Sequence, residues 1–572
     1  MHGWTYKFFT TLSQFLQLAL LSQQQLAKQK QKMEDYLIFI KTLVFSLGSV
    51  ILVSVLRVVH VYWFRPKSLE KQLRKQGIRG KTYRLFQDDM KEISMSSKEA
   101  CAKPMSLNHQ IARRIFPFFH QMVQNYGINN NMCMFCPYKF EIFMRHSNLN
   151  YGTRKVSLGW IETRPRLIVA DPELIKLILA EKNGQITKPP LNPLVNLLQM
   201  GISTLEGEQW AKRRRLIKPA FHLEKLKGMV PAFVTCCFGL INRWESLVGH
   251  EGRCELDVAP EFQNLAGDVI ARTAFGSNYE EGKKIFELQK KQAILVLEAY
   301  YDFYFPGKRF IPTKKNRMRY NLDNEIKAIL RGMISKKEQA AMENGEEGAN
   351  DLLGLLLQCK EQEQTSMTIE DVIEECKLFY FAGQETTANW LTWAMIVLSM
   401  HPNWQEKARE EVLRVCGKNT PDLDALNHLK IVSMILKEVL RLYPPVSALY
   451  RHTQIKTNVG GISIPAGVEF VLLTMFLHYD KKCWGEDVEE FNPERFADGV
   501  VKAPKDQVVF YPFGWGPRIC IGQTFAVIEA KMALAMILQH FSFELSPSYT
   551  HAPVMGITLQ PQHGATVTLH RI

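Results

Sequence analysis

Cysteine is sparse, 11 residues among 572 with no regular spacing, which excludes a disulfide scaffold and fits a reducing compartment. Long apolar runs are scarcer still: one stretch, residues 36–56, could cross a bilayer, and no second follows, so a polytopic membrane protein is excluded. The chain has no βαβ alternation, no internal repeat and no complete Gly-x-Gly-x-x-Gly loop, which removes solenoids and doubly wound dinucleotide folds. Acids fall short of bases, 57 against 71, for a formal net charge of +14. No basic stripe with interleaved aromatics accompanies that excess, so no nucleic acid is expected as a partner. Apolar residues at 46% and charged ones at 22% are ordinary globular proportions and leave a large core to bury.

The one long apolar run begins at Tyr36, ends at Leu56 and carries a single charge, Lys41. As a helix it rises ~30 Å and is apolar on every face, which predicts a single membrane anchor over 33–64. Tyr62, Trp63 and Phe64 sit where an interfacial belt belongs. Arg57, Arg65, Lys67, Lys71, Arg74, Lys75 and Arg79 follow with only Glu70 against them, so the rest of the chain, 65–572, is expected on the cytosolic side of the membrane lipid. Residues 1–32 are Gln-rich and lack a cleavage site, an atypical extension; translation is expected to start at Met33, which recovery of earlier residues from the native protein would refute. A second departure lies at 128–152, where Asn125-Tyr126-Gly127 recurs as Asn150-Tyr151-Gly152 around unpatterned sequence. This reads as an insertion, and its lone Cys133-x-x-Cys136 has neither a second pair nor a histidine to make a zinc or haem-attachment site.

Helical signals dominate from residue 170. Thr368 with Asp371 forms a capping box ahead of a pattern that runs to Met400, predicting a helix ~50 Å long, far beyond the usual length. A second helix is predicted to end at Tyr443 before Pro444-Pro445, and a third to run from Gln523 to Phe541. Strand-like runs are short: Arg166 to Ala170, Val468 to Leu473 and Thr566 to His570. The expected fold is therefore mainly α with small β-sheets.

The strongest local signal is Phe513-Gly514-Trp515-Gly516-Pro517-Arg518-Ile519-Cys520-Ile521-Gly522. Three glycines and a proline make a tight loop around one thiol, and Cys520 is expected to open into a helix amino terminus that lowers its pKa. A soft anionic sulfur suits iron. The segment resembles the haem-ligand signature of the cytochrome P450 family at every defined position. That resemblance implies Cys520 as the metal ligand of haem b, with Phe513 and Gly522 lining the cofactor, and a fold that holds haem between the long central helix and the helix after Cys520.

Three further motifs are similar to the family's. Glu438 and Arg441 lie at i and i+3 before the double proline, with Arg495 in Phe491-Asn492-Pro493-Glu494-Arg495-Phe496 as the implied third partner of a structural network. Glu406/Arg409 and Glu411/Arg414 share the spacing and are read as solvated pairs. In the long helix, Ala382-Gly383-Gln384-Glu385-Thr386-Thr387 places a glycine that permits close approach or local widening beside an acid and a hydroxyl. The resemblance makes Glu385 and Thr386 the catalytic proton relay. Trp210 and Arg214, with Arg518 and Arg451, are the implied partners of the haem propionates.

The implied reaction is monooxygenation of a hydrophobic small molecule by O₂. Nothing in the chain binds nicotinamide or flavin, so electrons would come from an NADPH–cytochrome P450 reductase, docked on Lys212, Arg213, Arg215 and Lys218. Competing readings are a haem-thiolate isomerase or dehydratase without O₂, and a non-catalytic haem or sterol sensor. The segments 65–70 and 219–222 and the closing residues are similar to the plant microsomal clan that includes secologanin synthase, implying an endoplasmic-reticulum protein and a terpenoid substrate. The pocket is expected from 190–201, 295–305, 379–383, 446–450 and 554–558.

Overall fold

The structure is a computed structural model that describes residues 2–85, 89–126, 155–198, 200–277, 279–344, 351–361, 367–504 and 508–572. The expected insertion at 128–152 lies outside the described residues. The chain divides into two units, Met1–Leu69 and Glu70–Ile572. In the first, one helix covers His2–Val59, a π-helical turn follows at His60–Phe64, and α-helix resumes at Arg65–Arg74. Its apolar side chains, Phe39 and Phe45 among them, point outward, and none of its most apolar window is buried. It is a candidate membrane anchor.

The second unit is mainly helical. Its largest sheet has six strands in the order Arg79–Gly80, Val156–Ile161, Arg164–Val169, Glu469–Leu472, Leu449–Thr453, Ile186–Thr187. Phe541–Leu545, Thr566–Arg571 and Arg253–Asp257 form a second. The three expected strands are present within two residues at each end. Val156–Ile161 has every residue buried, so it lacks the two-residue alternation that betrays a half-exposed strand.

The long helix runs Ile369–Met400, and both arms of the Thr368/Asp371 capping box form. It passes through the core: Val372 to Phe381 and Thr387 to Leu398 are buried. Even Lys377 is enclosed, with its ammonium 2.5 Å from Asp323 and 3.1 Å from Glu374. Gly383 explains itself by close approach: a Cβ there would lie 2.8 Å from Ile270 Cγ1 on the crossing helix Val258–Phe275. The helix stays α-helical through that point, so the alternative of local widening does not hold.

Two expectations of solvated pairs also fail. Glu411 is 3% exposed and ignores Arg414; its carboxylate accepts the amides of Lys430, Ile431 and Val432 at 2.8, 2.9 and 3.0 Å, capping the helix Lys430–Leu442 that carries Glu438. Arg409, 7% exposed, bonds Glu406 but also reaches Gln405 and the carbonyl of Phe541. Equal spacing in sequence says nothing about which face of a helix is buried.

Candidate active site

The cysteine loop is built by short backbone bonds. Tyr511 O accepts Gly514 N, Gly516 O accepts Ile519 N, and Phe513 O accepts Cys520 N at 2.9 Å. Gly516 adopts φ +71°, and a Cβ there would sit 2.3 Å from Leu179 O, so only glycine fits. Helix Gln523–His540 starts three residues beyond Cys520, with Gly522 as its N-cap. The thiol lies deep in the molecule yet its side chain is reachable, and among the nine described cysteines it alone is exposed. Its expected acidity is not what the protein alone provides: burial pushes the Cys520 thiol up, and the Gly522 amide and the Arg214 charge oppose this only in part. A metal cation at the sulfur would reverse that balance.

The long helix opens where the sequence singled it out. Residues 382–386 are partly exposed while both flanks are buried. Thr386 donates its hydroxyl hydrogen to Ala382 O at 2.7 Å. Glu385 receives Asn389 Nδ2 at 3.1 Å and Thr558 Oγ1 at 2.6 Å on Oε1, and Gln263 Nε2 at 3.4 Å on Oε2. Contacts beside the opening tie this helix to the cysteine loop and its helix. Trp390 meets the edge of Phe513 at 6.0 Å, and Phe221 stands between Phe379 and Phe525 at 5.6 and 6.3 Å. Phe379 and Tyr380 are thus core residues rather than pocket lining, Tyr380 stacking on Phe275 at 4.0 Å.

Cations gather beside the loop. Arg214 donates to Ile519 O at 2.7 Å, and Arg518 lies 4.2 Å over the Trp210 ring while bonding Leu205 O and Glu206. Arg451 is 7% exposed; burial first and the Arg518 charge second bring it down to about 10. Sequence reasoning missed Lys188, which burial and the charges of Arg451 and Arg518 lower to about 8. It stands beside no motif and is found only by the fold. Among the described residues, Glu206 alone opposes Lys188, Arg451 and Arg518. Two carboxylates would complete this set, and a thiolate would complete the loop, so the residues present fit a haem with two propionates.

Glu438 and Arg441 form a fully buried bidentate pair, and Arg495 Nε lies 3.4 Å from the same carboxylate. Arg441 further holds the carbonyls of His478, Val488 and Glu490. The expected docking face is corrected: Arg213 turns inward to Glu375 at 2.7 Å and Asp371 at 3.4 Å, because a fully buried carboxylate needs a partner. Arg215 and Lys218 stay exposed. A cavity of about 730 Å³ is lined by 190–193, Leu198, Val296, 299–304, 446–451 and 554–557, matching four of the five expected segments.

A reachable buried thiol in a glycine-bounded loop, against a long helix opened at an acid and a hydroxyl, defines the haem-thiolate class of oxidoreductase. The sequence profile described as cytochrome P450 matches residues 130–567. The chain is 52% identical over 518 residues to a cytochrome P450 (CYP72A616) of Paris polyphylla, covering 89% of this chain and 95% of that one. It is 46% identical to secologanin synthase 1 and 45% to 7-deoxyloganic acid hydroxylase, both of Catharanthus roseus, covering 90% and 92% of this chain and 95% and 97% of theirs. The chain belongs to the cytochrome P450 family, and is a haem-iron monooxygenase of its plant branch. The family generally works with a redox-partner reductase, O₂ and a hydrophobic substrate.

Proposed function

We propose that this protein oxidises a plant terpenoid, with Cys520 as the residue that would hold the iron of haem b. The accessible thiol and the accessible window at 382–386, on elements that touch, carry the reading; the names of the Catharanthus relatives support the substrate class. When bound, haem activates O₂ for insertion of one oxygen atom into an unactivated C–H bond. The chain's own part is to hold and to proton. Phe513 and Gly522 would enclose the cofactor beside Cys520, while the Gly522 amide and Arg214 lower the cost of its thiolate form. Lys188, Arg451 and Arg518, with Trp210 beneath Arg518, would hold the two propionates. Thr386, its hydrogen committed to Ala382 O, keeps lone pairs that can accept a hydrogen bond in the relay. Glu385 accepts from Asn389, Thr558 and Gln263, which orient it, and it relays a proton by taking one up from solvent when one of these contacts loosens and then passing it on.

Glu438, Arg441 and Arg495 position the cysteine loop without touching the substrate. Residues 33–64 serve as a single-pass anchor in the endoplasmic-reticulum membrane, with 65–572 in the cytosol and translation starting at Met33. Electrons come from an NADPH–cytochrome P450 reductase that meets Arg215 and Lys218. The deciding experiment incubates the membrane-bound protein and that reductase with a terpenoid panel under isotopically labelled O₂. NADPH-dependent label in the product is expected; product formed without O₂, or haem binding without turnover, would replace this reading with an isomerase or a sensor.

A further inference from the structure

Most of the cavity wall is apolar, but one end is not. There Arg166 is 4% exposed and has one oxygen acceptor: Nη2 donates to Glu469 Oε2 at 3.0 Å, Nη1 meets the Met90 sulfur at 3.8 Å, and Nε has no partner among the described residues. A guanidinium carries five N–H donors, and leaving them unmet in a low-dielectric wall is costly. Glu469 is itself divided, because Arg164 holds its other oxygen at 2.5 Å. Asp89, the other acid that acts on Arg166, is paired with Lys81 at 3.1 Å and accepts Trp160 N. Lys81 also binds Glu92, and Glu162 lines the same cavity, so acids and bases balance in number across the wider group; at contact distance, however, Arg164 and Arg166 share the cluster's one carboxylate, that of Glu469.

Three phenols surround it. Tyr450 lies 6.0 Å from Arg166 Cζ and is hydrogen-bonded to Tyr300, whose ring is 5.5 Å from that of Tyr301. Both arginines, Glu469 and all three tyrosines line the cavity. This cluster is distinct from the propionate-binding cations: the charges that act on both Lys188 and Arg451 are those of Arg518 and Glu206, and neither Arg164 nor Arg166 is among them.

We propose that Arg166 and Arg164, with the hydroxyls of Tyr300, Tyr301 and Tyr450, bind a carboxylate carried by the substrate, so that the enzyme takes terpenoid acids rather than neutral hydrocarbons. A planar carboxylate matches the guanidinium fork and supplies the missing acceptors. The inference rests on the terpenoid oxidation proposed above and goes further, to the polar group that the substrate must carry.

The test uses the membrane-bound holoenzyme and mono-, di- and triterpenoid carboxylic acids, each with its methyl ester and its primary alcohol. Dissociation constants are read from the substrate-induced change in haem absorbance, and oxidised product is measured in the same samples with reductase and NADPH. Acids binding at least ~10-fold more tightly than their esters are expected, with that preference falling several-fold in Arg164→Gln. Arg164 is one-third exposed, so its loss leaves the buried Arg166–Glu469 pair in place; Arg166→Gln is the stricter variant if it retains haem. Esters and alcohols that bind as well as the acids, a preference unchanged in Arg164→Gln, or no binding by any acid would overturn the carboxylate site. Failure of the terpenoid reading looks different: acids would bind, yet no member of the panel would be oxidised.

Discussion

Glu438→Ala should be among the most damaging single changes to the fold, and the geometry ranks it against its neighbours. The Glu438 carboxylate is fully buried and takes Nε and Nη2 of Arg441 at 2.8 and 2.7 Å, with the Asn492 amide at 3.1 Å and Arg495 Nε at 3.4 Å. Removing it leaves two guanidiniums, 0% and 7% exposed, short of a counter-charge. Breaking a buried pair in this way costs about 3–5 kcal/mol. What remains decides where in that range each variant falls. Arg495 keeps Asp487 at 2.6 Å and Arg441 keeps three carbonyls, so Glu438→Ala belongs at the lower end, ~3 kcal/mol. Arg441→Ala loses the bidentate pair and orphans those carbonyls, and belongs at ~4–5 kcal/mol. Arg495→Ala is the mildest, since Glu438 retains its main partner. A membrane enzyme of this size unfolds irreversibly, so the observable is the rate at which the CO-complex absorbance of thiolate-bound haem is lost on warming. If these contacts are absent from the unfolding transition state, Glu438→Ala should shorten the half-life by about two orders of magnitude. A wild-type half-life for Glu438→Ala, or a greater loss in Arg495→Ala than in Arg441→Ala, would refute the ranking.

Stability should fall as the medium is acidified below about pH 6.5. Burial, reinforced by the charge of Arg441, holds His478 down at about 3, and burial with the neighbouring His401 holds His109 at about 3. The unfolded chain binds protons near 6.5 that the folded one refuses, so the stabilisation is complete above 6.5 and is lost as pH falls towards 3, by ~2 kcal/mol per histidine at pH 5. Thermal inactivation measured against pH should show this slope, and His478→Asn should flatten it; an unchanged slope counts against the assignment. Glu411→Ala should cost about 1–2 kcal/mol by uncapping the helix that carries Glu438, while the exposed Arg414→Ala stays within ~0.5 kcal/mol, both read as shifts in inactivation temperature. Gly516→Ala should abolish the thiolate-type CO spectrum, because φ +71° and a contact of 2.3 Å with Leu179 O cannot both be relieved; normal spectra would show that the loop can move.

Much of this fold was legible because its signals are local. Thr368 and Asp371 are three residues apart and form the same capping box wherever they occur, and Pro444-Pro445 stops a helix in any context. What escaped depends on partners far along the chain. Glu411 and Glu438 belong to the same four-residue pattern, yet one caps a helix and the other anchors two arginines, because tertiary packing turns them to different neighbours. Arg213 looked like a surface charge among basic neighbours until Glu375, 162 residues away, claimed it. The acidity of Cys520 was misjudged for a related reason: a helix terminus nearby is visible in sequence, whereas the desolvation that outweighs it is a property of the whole fold.

The same contrast separates the cations beside the cysteine loop from those of the cavity wall. Arg518 was found through a motif, since a single residue separates it from Cys520 and the loop fixes both. Arg166 was not, because its meaning comes from register: parallel pairing sets it against Glu469, and antiparallel pairing brings Leu449–Thr453, with Tyr450, alongside. A chain that only needed to fill its core would put an apolar residue at a position 4% exposed. Retaining a guanidinium there, with too few acceptors and a shared counter-ion, costs stability that the fold recovers only if something else completes the site. That is the physical ground for placing substrate recognition at Arg166 and oxidation chemistry at Cys520, two groups whose bonding the protein on its own leaves incomplete.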